Sequence, residues 1–259
     1  MGIVCPVGNS ISEAWTNIVA GRSGIGPITV FDASTFSTRI SGSIKNFKVE
    51  EYILPKEARK MDPFIHYGIA AGVQAINDAG LEITDANRRR MGLVIGSGIG
   101  GLPGIEKGYQ SFLDGGARKI SPFFVPSNII NMIAGNLSIM YGIRGPNYAI
   151  VSACSSGAHS IGQAARLIER GDVDAMIAGG AEFATCPTGI GGFASARALS
   201  TRNEDPERAS RPWDRDRDGF VLSDGAGVVV LESLDYARTR GARIYAELAG
   251  FGMNSDAYH

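Results

Sequence analysis

The sequence predicts an α/β layered domain, with helices laid on a mostly central sheet. Three observations carry that prediction. Short, continuous apolar runs that end in glycine, such as "RMGLVIGSG" and "DAMIAGGAE", alternate with longer runs of helical spacing. The 35 glycines sit at the ends of apolar runs, marking tight turns and close backbone approach instead of low complexity. The resulting β-α-β-α-β order is that of a layered fold with crossover helices.

Taken along the chain, "MDPFIHYGIAAGVQAINDAGL" has apolar spacing near 3.6 and reads as a helix with a small-residue face. "RMGLVIGSG" reads as a strand buried on both faces. "SNIINMIAGNLSIMYGI" is expected to be a helix capped by Ser127 behind Pro126. "YAIVSA" reads as strand, "SGAHSIGQAARLIERG" as a helix stopped by Gly171, and "DAMIAGGAE" as strand again. The charged stretch 201–219 reads as an ordered surface loop, with Trp213 and Phe220 as its expected anchors. "GAGVVVLES", a helical "LDYARTRG" and "RIYAELAGFGMNS" close the chain, with no domain boundary or repeat.

Composition narrows the function classes. A hydrophobic fraction of 44% and a charged fraction of 20% are those of a soluble globular protein. No apolar run approaches the roughly 18 residues of a membrane span, and the start lacks the basic and apolar regions of a signal peptide. A net charge of −1 exerts no global pull on nucleic acid or anionic lipid. The three cysteines, Cys5, Cys154 and Cys186, form no paired framework, so free thiols in a reducing, cytoplasmic setting are expected.

Cys154 is the chemically conspicuous residue. It falls where a strand pattern turns into a helix, among the small residues Ala153, Ser155, Ser156 and Gly157. Such a turn offers free backbone amides and the positive end of a helix dipole to an anion. The small neighbours leave room for a substrate carbonyl, so the residue reads as a nucleophile and not only as a buried thiol. A basic partner is hard to find among three histidines. His159 points away around the helix, His66 sits in a helical run as a core or interface residue, and His259 is terminal. Two other chemistries fit less well. "VIGSGIGG" satisfies the dinucleotide spacing G-x-G-x-x-G, but Pro103 is expected to interrupt the following helix and no ribose-binding acid is placed. A cysteine hydrolase elbow wants glycine where Ser152 stands.

The stretches "ISPFFVPSNIINMIAG", "YGIRGPNYAIVSACSSGAHSIGQAARLI", "GGAE" and "GGFASARALSTRNEDPERASRPWDRDRDGFVLSDGAGVVVLE" closely resemble the β-ketoacyl-acyl-carrier-protein synthases, best the synthase II type of bacterial fatty acid elongation. The resemblance spans essentially the whole chain. It implies a thiolase-like α/β fold in five layers, α-β-α-β-α, usually a homodimer. It makes Cys154 the acyl-accepting nucleophile of a decarboxylative condensation with malonyl-acyl carrier protein, which needs no redox cofactor or metal. Ile99 and Phe193 match positions that line the acyl pocket. Lys56, Arg59, Lys60, Arg118, Lys119 and Arg197 match basic positions that dock the acidic carrier protein, where a solvated helix face is the plainer alternative. Neither nucleic acid nor membrane is implied as a partner. Members of this kind open with a short strand ahead of "GIVCPVGN" and continue past "SDAYH" into a second half with two catalytic histidines. Residues 1–259 are therefore expected to be the N-terminal part of such a domain, mostly its first half plus the crossover, and inactive in condensation alone. The rival within the fold is a non-catalytic partner or scaffold; such members usually replace the nucleophile, whereas Cys154 is retained.

Overall fold

The structure is a computed structural model that describes residues 1–258. In chain order the elements are β1 (Gly2–Val4), α1 (Ile11–Val19), β2 (Gly26–Pro27), β3 (Ile40–Ser41), α2 (Pro55–Ala58), α3 (Pro63–Ala79), β4 (Met91–Gly96) and α4 (Leu102–Gly115). They continue with α5 (Phe124–Asn128), α6 (Met132–Tyr141), β5 (Asn147–Tyr148), α7 (Ser156–Glu169), β6 (Ala175–Glu182), α8 (Pro187–Ser195), β7 (Gly225–Glu232) and α9 (Leu234–Thr239). Five strands form the main sheet in the order β1-β7-β6-β4-β5. β4 pairs parallel with both β5 and β6, whereas β7 runs antiparallel to β6 and β1, so the sheet is mixed.

Strand periodicity places this sheet in the middle. All of β4 is buried; Leu93 and Ile95 enter one core and Val94 the other. β6 divides likewise, with Ala175 and Ile177 on one side and Met176 and Ala178 on the other. Each fully buried Leu or Ile contributes roughly 1.5–3 kcal/mol of transfer free energy. α3 and α6 cover the first face and α7 the second, giving three consecutive layers, α-β-α.

The longest helix, α3, starts on an Asp62 N-cap that accepts from Phe64 N and stops at Gly80, whose φ is +56°. Its small-residue face has a definite purpose. A Cβ at Gly68 would lie 2.6 Å from Ile133 Cγ2, and one at Gly72 would lie 2.5 Å from Leu137 Cδ1. Two glycines one turn apart thus let α6 seat two aliphatic side chains directly on the α3 backbone.

Several local expectations need correction. The predicted helix over 127–143 is two helices, with Pro126 inside α5, and Ser127 caps nothing: its hydroxyl donates to Phe124 O. Proline is tolerated there because the first turn of a helix leaves its N–H groups unpaired anyway. Pro103 does not interrupt the helix after "GSGIGG"; it lies in the first turn of α4, for the same reason. The strand expected over 148–153 shrinks to Asn147–Tyr148, since β5 is the sheet's edge. Residues 243–255 carry no helix or strand. Trp213 anchors nothing, being 92% exposed, whereas Phe220 packs against Phe193. His259 lies outside the described residues.

Candidate active site

β4 and β6 are parallel neighbours, and ligands of α/β sheets collect beyond the carboxyl ends of such strands. A cavity of about 540 Å³ lies there. Its wall comprises the loop after β4 (Ser97, Gly98, Ile99), the turn before α7 (Ala153, Cys154), Glu182 at the end of β6, Asp224 and Gly225 at the start of β7, and an apolar side of Phe193, Phe220 and Leu222. Cys154, Ile99 and Phe193, picked out from sequence, are thus brought to one cavity.

The Cys154 turn is tightly specified. Ser155 N donates to Ser152 O and Ser156 N to Ala153 O, both at 3.1 Å. The buried Ser156 hydroxyl donates to Ala153 O at 2.7 Å and accepts from Ser152 N at 3.0 Å. Ala153 has φ of +50°, a left-handed conformation that costs a residue with a Cβ on the order of 1–2 kcal/mol. The turn holds that strain and leaves Cys154 exposed, two residues ahead of the first residue of α7. The other cysteines differ. Cys186 is buried, and burial pushes its thiol up to about 11, so it is chemically quiet. Cys5 is half-buried, its thiol bonded to Gly8 O.

No histidine among the described residues meets Cys154. His159 bonds through Nδ1 to Ser152 Oγ at 2.6 Å, and His66 Nε2 pairs with Ala58 O at 2.8 Å. Both are satisfied structural residues, as their placement in the sequence indicates.

Carboxylates are the site residues that sequence reasoning missed. Glu182 accepts from Ser97 Oγ at 2.8 Å, Gly98 N at 2.8 Å and Ile99 N at 3.0 Å. A fixed anion therefore occupies the amides that a dinucleotide's diphosphate would need, which removes the nucleotide reading of "GSGIGG". Asp224, 3% exposed, receives Ala184 N, Thr185 N and Thr185 Oγ1 on one oxygen, while the other has no partner. Burial raises its carboxyl to about 6. Asp62, also buried and raised to about 6 by burial, receives Phe64 N and Gly104 N, tying α3 to α4. The signal for all three is contact across long stretches of chain, which no local motif displays.

A second concavity, about 410 Å³, lies between the start of α3, α4 and the segment 119–127. Of the basic residues singled out, Arg59, Lys60 and Lys119 line it, joined by Lys107, which the sequence did not flag. Lys56 and Arg118 are exposed nearby along the chain but do not line it, and Arg197 is exposed beyond α8. Lys60 bonds Glu57 at 2.8 Å and lies over the Phe123 ring at 5.3 Å. Arg59, Lys107 and Lys119 form no ion pair within the described residues, whereas seven arginines elsewhere in the chain do.

The model of the β-ketoacyl synthase N-terminal domain matches residues 1–237. The chain belongs to the β-ketoacyl synthase family. It is 60% identical over 259 residues to 3-oxoacyl-acyl-carrier-protein synthase 2 of Vibrio cholerae, covering all of this chain and 63% of that protein. It is 54% identical to the enzyme of the same name from Coxiella burnetii, again over all of this chain and 63% of the relative. The chain thus spans under two thirds of the length of the curated relatives it matches. Among solved structures, a β-ketoacyl synthase from Burkholderia phymatum superposes with a TM-score of 0.88 at 30% identity, over all of this chain and 64% of the other. AntDE:AntF, a type II polyketide synthase acyl-carrier protein in complex with its ketosynthase bound to the hexaketide, matches with the same score and identity, over all of this chain and 62% of the other. The fold is that of the thiolase-like ketosynthases, of which the described residues supply three consecutive layers.

Proposed function

We propose that the chain carries the acyl-accepting part of a 3-oxoacyl-acyl-carrier-protein synthase working in fatty acid elongation. In this reading Cys154 Sγ attacks the thioester carbonyl of an acyl-carrier protein. A new thioester forms on Cys154, the old C–S bond breaks, and the carrier's thiol leaves with the proton. Backbone amides, that of Cys154 itself among them, receive the developing oxyanion. Malonyl-acyl carrier protein then loses carbon dioxide, the resulting carbanion attacks the acyl-Cys154 carbonyl, and the acyl C–S bond breaks to release 3-oxoacyl-acyl carrier protein and return the Cys154 thiolate. The decarboxylating histidines are assigned to segments outside this sequence.

One observation carries the reading: an exposed cysteine on a strained turn shares a cavity with an apolar wall of Ile99, Phe193, Phe220 and Leu222. That combination suits a reactive sulfur receiving a hydrocarbon chain, and a scaffold protein has no use for it. The volume falls within the 300–1,000 Å³ typical of ligand sites. Assayed in the complete polypeptide, acyl- and malonyl-acyl carrier protein should yield the 3-oxoacyl product, and Cys154→Ala should abolish it. Undiminished condensation by Cys154→Ala overturns the assignment.

The acyl carrier protein is proposed to dock on the groove of Arg59, Lys60 and Lys119, extended by Lys56, Arg118 and Arg197. Of these groove cations, Arg59 and Lys119 have no ion-pair partner among the described residues, and unpaired cations beside a concavity favour an acidic partner. A second copy of the chain is proposed to pair along β5, an edge strand exposed at both residues, flanked by Ile139 at 78% and Val151 at 56% exposure. Sedimentation of Ile139→Asp checks it: the dimer reading expects a shift to monomer, and an unshifted oligomer removes this edge from the interface. The unpaired thiols fit a cytoplasmic setting, which compartment-resolved detection of the protein tests; recovery outside the cytoplasm rules it out.

A further inference from the structure

Nothing in the proposed chemistry calls on Glu182, yet it is among the most heavily bonded side chains at the cavity. Its carboxylate takes three donors from three consecutive residues, Ser97, Gly98 and Ile99. The grip extends one residue further, because Ser97 Oγ also accepts from Gly100 N at 3.1 Å. On its other side the loop abuts the nucleophile turn: a Cβ at Gly98 would stand 2.8 Å from Glu182 Oε2 and 3.3 Å from Ala153 O. Glu182 itself is the last residue of β6, registered opposite Gly225 of β7, two residues beyond the end of the β4 ladder at Gly180. The loop it holds carries Ile99, 38% exposed on the cavity wall.

We propose that Glu182 is a positioning residue: by fixing the loop 97–100 against the Cys154 turn it sets where Ile99 stands, and so which acyl chains Cys154 accepts. The proposal rests on the acyl-transfer reading above. It assigns no proton transfer to Glu182. All three bonds are ones in which the side chain only accepts, and two of the donors are backbone amides that a side-chain substitution cannot remove. A glutamine keeps its oxygen on the two amides, and its –NH₂ reverses the third bond by donating to Ser97 Oγ. Alanine satisfies none, and aspartate is one methylene too short.

The test compares wild type, Glu182→Gln, Glu182→Asp, Glu182→Ala and Ile99→Ala by the rate at which hexanoyl- and palmitoyl-pantetheine acylate Cys154, read by mass spectrometry. Hydrogen exchange at the Gly98 and Ile99 amides is measured in parallel. Glu182→Ala should change the ratio of the two acylation rates by about tenfold, in the same direction as Ile99→Ala, the size of effect a misplaced pocket wall has on chains differing by methylenes. It should add nothing in the Ile99→Ala background, since it acts through that side chain. Glu182→Gln should retain the wild-type ratio and slow exchange, and Glu182→Asp should resemble alanine. A glutamine variant as impaired as alanine, additive effects with Ile99→Ala, or unchanged amide exchange in Glu182→Ala would each overturn the proposal. Wild type that takes neither thioester at Cys154 would instead refute the acyl-transfer reading, while the exchange data still decide whether Glu182 holds the loop.

Discussion

The Phe193 ring meets that of Phe220 edge to face, with 5.4 Å between centroids, on the wall of the cavity that Cys154 lines. One ring comes from α8 and the other from the end of the charged loop before β7, where Phe220 also bridges by its backbone to the segment just after α8. Edge-to-face pairs contribute about 0.5–1.5 kcal/mol beyond their buried area. A double-mutant cycle of Phe193→Leu and Phe220→Leu, followed by chemical denaturation, should return a coupling of that size. Additive losses would mean the rings touch without stabilising one another.

Asp224 makes a prediction about pH. Its carboxyl is raised to about 6 by burial, from 3.8. Below pH 4 both folded and unfolded chains hold the proton, and the group carries no penalty. Between pH 4 and 6 the unfolded chain releases it first, so the folded state binds more protons and stability falls as pH rises. Asp224→Asn keeps one oxygen for Ala184, Thr185 and the Thr185 hydroxyl and replaces the unpartnered charged oxygen with a neutral –NH₂. Thermal denaturation should therefore show the variant stabilised at pH 8, by up to about 3 kcal/mol, and close to wild type at pH 4. A variant less stable at pH 8 than at pH 4, each relative to wild type, would show that the charged form is favoured by donors around it.

The basic groove predicts a salt-dependent partner. Arg59→Glu and Lys107→Glu should each weaken binding of acyl carrier protein by about tenfold at low ionic strength, with most of the difference gone at high salt. Lys107 is the informative residue, because it lines the groove beside the basic residues that the family resemblance singles out, without itself being one of them. Titration by calorimetry that finds Arg59→Glu weakened and Lys107→Glu unchanged would confine docking to the α3 side of the groove.

Much of this was legible in the sequence, for identifiable reasons. β4 and β6 are buried on both faces, so each appears as an unbroken apolar run between glycines. Cys154 declares itself through its small neighbours, and His66 through the aromatic and aliphatic residues around it. What the sequence hid depends on contact between distant segments. Gly98 and Glu182 are 84 positions apart, and Asp224 lies 40 from the Ala184 amide it accepts. The misread helix starts share one cause: Pro103 and Pro126 stop a helix only when their missing N–H is needed, and in a first turn it is not. Trp213 was misjudged because a large aromatic in a charged loop looks like an anchor, and here it points to solvent.

The central claim is that the sulfur of Cys154, and no other thiol in the chain, receives an acyl group. Peptide mapping after brief exposure to a sub-stoichiometric acyl-acyl-carrier-protein thioester tests it directly. The expected result is an acyl mass on the peptide holding Cys154, absent in Cys154→Ser, with the peptides of Cys5 and Cys186 unmodified. An acyl group on either of those cysteines in preference, or an unmodified Cys154 peptide when the carrier is demonstrably bound, would contradict it.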